Sequence, residues 1–143
     1  RTQRGQLLTL CERQTRLTLA APLPSKTAVA TAATLCGTFA ALPEAARRSI
    51  TFDNGPEFAR HQKLQQDLAM QSFFCDPHSP WQRGSIENTN GLLRRDLPRK
   101  TEFSEYSDQD IHDIVWAINT TPRKCLGFLS PAEAFIHQLR CCT

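Results

Sequence analysis

The order of signals along this chain predicts an α/β fold. Three observations carry the prediction. Between residues 49 and 97, short β-compatible runs alternate with amphipathic helical stretches. Asp53-Asn54-Gly55-Pro56 and Asp76-Pro77 punctuate that alternation at strand ends. A helix rich in small residues precedes it and suits close packing on a sheet. Strand–helix–strand order favours parallel pairing.

Each element has its own signature. Residues 6–12 and 16–21 are apolar and β-compatible, with a polar turn of Glu12-Arg13-Gln14-Thr15-Arg16 between them. They read as an antiparallel hairpin closed off by Pro22 and Pro24. A helix opens at Ser25 or Lys26, with Ser25 as its N-cap. Its apolar positions are Ala28, Val29, Ala32, Ala33, Leu35, Cys36 and Phe39. Pro43 stops it near Leu42.

Ser49–Phe52 is a short strand that ends at Asp53. A helix over 57–70 follows, with Phe58, Leu64 and Leu68 inward. Residues 72–75 form the next strand, and 76–83 a loop with two prolines and Trp81. A helix then runs over 84–97 until Pro98. The linker 98–106 leads to a helix over 107–121 with an Ile111, Ile114, Val115, Ile118 stripe. Ser130-Pro131 opens the last helix, as N-cap and first helical residue.

Composition bounds the reading without deciding it. The chain has 143 residues, one domain's worth, and a net charge of +3. That charge is weak support for a nucleic-acid partner, but its distribution is uneven. Residues 1–48 hold seven basic and two acidic side chains. Further basic clusters are Arg94, Arg95, Arg99 and Lys100, and Arg123 with Lys124. Taken singly, each cluster also reads as solvated surface.

No apolar run is long enough for a signal peptide or membrane span. The six cysteines therefore read as free thiols of a reducing cytoplasm. Cys75 and His78 have ligand chemistry, yet no second pair follows to complete a zinc site. Asn119-Thr120-Thr121 matches a glycosylation acceptor, which has no meaning without secretion.

Two carboxylates carry the chemistry. Asp53 ends a strand, Glu87 lies on a later helix, and 33 residues separate them. Acids so placed can share divalent metal ions that drive phosphoryl transfer. On the helical wheel Ile86, Leu93 and Leu97 form a stripe, with Arg83, Glu87, Asn90 and Arg94 on one shoulder. Plainer readings stand beside these. Glu87 can pair with Arg83 or Arg94 at the surface for about 0.5 kcal/mol. Asp-Asn-Gly can be an ordinary turn. Trp81 can plug a core or offer a platform for base stacking.

The motifs together resemble a known family. Thr51-Phe52-Asp53-Asn54-Gly55-Pro56-Glu57-Phe58, Asp76–Gly84 and Glu87-Asn88-Thr89-Asn90-Gly91-Leu92-Leu93-Arg94 are similar to the catalytic core of DDE transposases of the retroviral-integrase type. The nearer likeness is to the insertion-sequence-thirty family. Arg123–Phe128, Pro131–Phe135 and the hairpin 7–21 extend it over nearly the whole chain.

The resemblance implies a ribonuclease H-like mixed sheet flanked by helices. It implies a triad of two Asp and one Glu holding Mg2+ or Mn2+, with Asp53 second and Glu87 third. The expected DNA contacts are Asn54, Trp81, Gln82, Arg83, Asn90, Arg94, Arg95, Arg123 and Lys124. The expected reaction is phosphodiester cleavage and strand transfer, on element ends and target DNA, by a homo-oligomer of the full-length protein. The setting would be a bacterial cytoplasm, at the nucleoid.

Residues 1–106 read as a partial catalytic core and 107–143 as a helical segment of the same core. The family's first Asp lies on a central first strand ahead of the hairpin. Here no Asp precedes Asp53, and the only earlier acids are Glu12 and Glu44. Arg1 is not a Met. The sequence thus reads as a truncated core that lacks strand transfer on its own. The alternative is a catalytically dead remnant that binds DNA or interferes with multimers.

Overall fold

The computed structural model describes residues 6–98 and 105–141. Arg99, Lys100 and the linker residues 99–104 lie outside them. The chain divides into two compact units, one of Leu23–Arg83 and one of Arg1–Pro22 with Gly84–Thr143.

In the second of these units, strands β1 (Gln6–Cys11) and β2 (Thr18–Leu23) are hydrogen-bonded neighbours. So short a connection permits only antiparallel pairing. The turn is tied by Glu12 N–H to the Leu17 carbonyl (2.8 Å) and Arg16 N–H to the Glu12 carbonyl (2.9 Å). The expected stop at Pro22 is displaced, because β2 runs through it to Leu23. Pro22 is exposed and needs no N–H there, the setting in which a strand tolerates proline.

Helix α3 (Gly84–Asp96) packs on β1 and on α4 (Asp108–Thr120), and α4 packs on α5 (Pro131–Cys141). These three are numbered after the two helices of the other unit. Leu8, Leu93, Leu97 and Ile111 are buried here. Ser107 and Asp110 form a reciprocal capping box at the start of α4. Ser130 and Glu133 do the same for α5: the Glu133 N–H reaches the Ser130 hydroxyl (3.2 Å), and the Ser130 N–H the Glu133 carboxylate (2.9 Å).

In the Leu23–Arg83 unit, α1 (Ala28–Ala40) packs on α2 (Gln62–Leu68) and on a 3-10 turn over Pro56–Phe58. The cap of α1 is Thr27 rather than Ser25, since the Thr27 hydroxyl accepts the Ala30 N–H at 3.2 Å. Its inner face is Thr31, Ala32, Leu35 and Phe39, while Val29 and Ala33 face outward.

Strands β3 (Ser49–Phe52) and β4 (Gln71–Phe74) pair in parallel with Ser49 opposite Gln71 and Phe52 opposite Phe74. The helix expected over 57–70 is shorter, because the 3-10 turn takes its first residues. It ends when Ala69 turns left-handed at φ 55°. Leu64 and Met70 are fully buried, and the Phe52 and Phe58 rings stack with centroids 4.6 Å apart.

Candidate active site

Asp53 follows directly on β3, at its carboxyl end, where ligands bind in open α/β sheets. Its carboxylate is exposed and accepts the Gly55 N–H at 3.0 Å. Asn54 sends its amide N–H to the Cys75 carbonyl (3.1 Å), which ties the loop after β3 to the end of β4. A Cβ on Gly55 would lie 2.5 Å from Glu57 Oε2 and 3.0 Å from Asp53 Oδ1. Two carboxylates therefore converge over this glycine, one of them a residue the sequence had not singled out.

Glu87 stands exposed in the first turn of α3, where the helix dipole favours a carboxylate. The face behind it is Thr89, Leu93 and Leu97, all buried, with Ile86 only half-buried. Thr89 was not foreseen, because a Thr at core spacing does not register as apolar. Asn90 accepts a hydrogen bond from the Thr9 hydroxyl (2.9 Å), and the Arg16 guanidinium donates to the Ser85 hydroxyl. Neither Thr9 nor Arg16 could be placed against this helix from sequence, since the chain distances are 81 and 69 residues.

The remaining expected DNA contacts divide by what their side chains already do. Trp81 is 74% exposed, so it is no core plug. Gln82 closes its own loop: its amide oxygen accepts the Asp76 N–H (2.7 Å) and its amide N–H reaches the Asp76 carboxylate (3.0 Å). Arg83, Arg94, Arg95 and Lys124 are exposed. Arg123 is half-buried and lies close enough to Cys11 to favour its thiolate, as do Arg16 and the Thr89 hydroxyl. Burial outweighs all three and pushes the Cys11 thiol up.

The two acids ahead of Asp53 have local roles. The Glu12 carboxylate accepts from Gln14 N–H (3.1 Å), Thr15 N–H (2.6 Å) and the Thr15 hydroxyl (2.5 Å), so it braces the hairpin turn. Glu44 opens a 3-10 turn over Glu44–Ala46. Among the described residues, no three His, Cys, Asp or Glu side chains converge on one metal position. The donors at 53 and 87 are hard carboxylate oxygens, the type that Mg2+ and Mn2+ take. Cys75 is buried, while His78 is exposed at φ 61°.

The fold defines the class. The chain is similar to the catalytic core domain of BIV integrase, with a TM-score of 0.75 at 18% identity over 97% of this chain and 90% of that one. It is similar also to a chain of a simian T-cell lymphotropic virus intasome, with a TM-score of 0.72 at 23% identity over 92% and 48%. The architecture is that of the ribonuclease H-like integrase catalytic core.

No family model matches the chain. Sequence relatives are more specific. The transposase for insertion sequence element IS1086 of Cupriavidus metallidurans is 42% identical over 130 residues, 91% of this chain and 38% of that protein. Transposase InsI for insertion sequence element IS30A of Escherichia coli (strain K12) is 39% identical over 132 residues, 92% of this chain and 34% of that protein. The transposase for IS4351 of Bacteroides fragilis is 46% identical over 87 residues, 61% and 27%. These relatives are transposases of the insertion-sequence-thirty family, and the chain is similar to the first two over nine-tenths of its own length. It spans about a third of the length of the curated relatives it matches.

Proposed function

We propose that this chain contributes to DNA transposition as part of a transposase catalytic core, by metal-dependent phosphodiester cleavage and strand transfer. The observation that carries the reading is the likeness to transposases over nine-tenths of the chain, with Asp53 and Glu87 inside the matching words. In this reading 1–106 are catalytic core and 107–143 its helical extension.

Asp53 and Glu87 would each offer an exposed carboxylate oxygen to Mg2+ or Mn2+. Such ions activate the attacking oxygen and stabilise the leaving one. Asp53 is pre-set for this by the Gly55 N–H and by the Asn54 tie to Cys75. Glu87 is pre-set by the rigid helix that carries it. Exposed Arg83, Arg94, Arg95 and Lys124 would hold DNA phosphates, and Trp81 would stack on an unpaired base. Asn54, Gln82, Asn90 and Arg123 would act nearer the protein side of that surface, because each is already engaged within the fold. The partners would be element ends and target DNA, bound by a homo-oligomer at the bacterial nucleoid. Among the described residues no helix is long and apolar enough to cross a membrane.

A third carboxylate completes the triad that the family resemblance implies, and no Asp precedes Asp53 in this sequence. The 143 residues alone would therefore bind metal weakly and transfer no strand. The test is a Mn2+ titration with a DNA-binding titration across salt. Asp53→Asn and Glu87→Gln should each weaken Mn2+ binding, and log affinity for DNA should fall linearly with log salt. Unchanged Mn2+ binding in both variants, or no DNA affinity at low salt, would overturn the reading. Robust strand transfer by the unaided chain would overturn the claim of inactivity.

A further inference from the structure

We infer that the β1–β2 hairpin is the element that aims Glu87, with Thr9 and Arg16 as positioning residues. The inference rests on the reading of Glu87 as a metal ligand.

The two hydrogen bonds from the hairpin land on α3 at Ser85 and Asn90, one on each side of Glu87 in sequence. At 3.6 residues per turn, these positions lie about 140° apart around the helix axis. The buried side chains Thr89, Leu93 and Leu97 fall between them. The hairpin thus grips both edges of the stripe that faces it.

Apolar packing alone is non-directional and leaves a helix able to roll. Polar contacts at both edges remove that freedom. Glu87 lies about 60° beyond Asn90 on the exposed side, so the roll angle decides where its carboxylate points. A roll of about 20° moves a group held about 6 Å from the axis by about 2 Å. A displacement of about 1 Å can cost a reaction about 100-fold.

The hairpin is itself stiffened for this task. Thr9 sits inside β1, backed by the ladder to β2. Arg16 is held left-handed at φ 63°, a conformation that costs a non-glycine residue energy and persists only where surroundings impose it. The Glu12 carboxylate supplies that constraint by binding the Thr15 N–H and hydroxyl one residue earlier. Glu12, silent in the metal chemistry, acts on Glu87 through the turn that aims Arg16.

The test uses the 143-residue chain, with Mn2+ as probe and paramagnetic broadening of the Glu87 amide NMR signal as read-out. Thr9→Val and Ser85→Ala should each raise the Mn2+ half-saturation by about tenfold, the scale at which ligand-orienting groups act. Thr9→Ser and Ser85→Thr, which keep the hydroxyls, should retain the wild-type value. Arg16→Ala combined with Ser85→Ala should be no worse than either alone. Wild-type half-saturation in folded Thr9→Val and Ser85→Ala would overturn the inference, as would loss in the hydroxyl-keeping variants should the others fail to fold. Glu87→Gln separates the two levels. If it leaves the broadening untouched, Glu87 is not a ligand and the functional reading fails. If it abolishes the broadening while the hairpin variants do nothing, only the positioning role fails.

Discussion

The side-chain amide of Asn119 pairs with the main chain of Thr18 in both directions. Its oxygen accepts the Thr18 N–H at 2.9 Å, and its N–H reaches the Thr18 carbonyl at 2.8 Å. Both residues are buried. A side chain from α4 thereby completes the backbone pairing at the start of β2, 101 residues away. A buried peptide group needs such a partner, and Asn alone among side chains of its size offers a donor and an acceptor in peptide geometry.

Asn119→Leu should therefore destabilise the fold by about 2–4 kcal/mol, because two buried backbone groups lose their partner. Asn119→Asp should cost at least as much, as it loses the donor and sets a buried carboxylate oxygen against the Thr18 carbonyl. Urea denaturation with unchanged m-values measures both. A Leu variant as stable as the wild type would show that the pairing carries nothing.

Gly55 is glycine for space rather than for backbone angle. Its φ of −68° suits any residue, but an added Cβ would sit 2.5 Å from Glu57 Oε2. The obstacle is the end of a flexible side chain, so Gly55→Ala should cost no more than about 1 kcal/mol. Glu57→Ala should erase that cost, which a double-mutant cycle on denaturation midpoints reads directly. Additive effects would mean that the carboxylate does not stand where it is described.

Phe128 is 68% exposed and left-handed at φ 66°, directly after Gly127 at φ 61°. The loop around it is held by the Phe128 N–H on the Arg123 carbonyl (2.9 Å) and the Arg123 N–H on the Leu129 carbonyl (3.0 Å). Little burial is at stake, so Phe128→Gly should stabilise the chain by about 1 kcal/mol through relief of strain. Phe128→Ala should give no such gain. Thermal midpoints of the pair check this.

Asp110 titrates low because the Ser107 N–H, and then the Ser107 hydroxyl, hold its carboxylate charged. A depressed folded value means that the stabilisation is present above the ordinary 3.8 and fades as pH falls through the folded value. Helicity followed by circular dichroism should weaken over that acid window. The acid-side change should shrink in Asp110→Asn, which has no proton to gain. An identical acid limb in the variant would remove Asp110 from the account.

Residue patterns alone settled a good deal. The order of elements, the extent of β3, the bounds of α3 to within a residue and the Ser130 cap follow from local rules: proline and Asp-Asn-Gly stops, helical spacing and capping chemistry. The family words rest on the same residues. Local rules also failed in local ways. Thr27 took the cap from Ser25 because its extended backbone sets its hydroxyl to accept the Ala30 N–H, and the helix over 57–70 lost its first residues to a 3-10 turn at Pro56.

What the tertiary structure decided is everything that joins distant residues through polar side chains. Hydropathy reads Thr9, Arg16, Ser85 and Asn119 as surface, since it sees one residue type at a time. Their value lies in a partner 69 to 101 positions away. A hydrogen bond is directional and short, so which polar groups meet depends on how strands and helices are stacked. Burial of apolar stripes is non-directional and leaves its mark on the sequence as periodicity. The acids could be named from the chain alone, whereas the hairpin that holds the Glu87 helix came into view only with the fold.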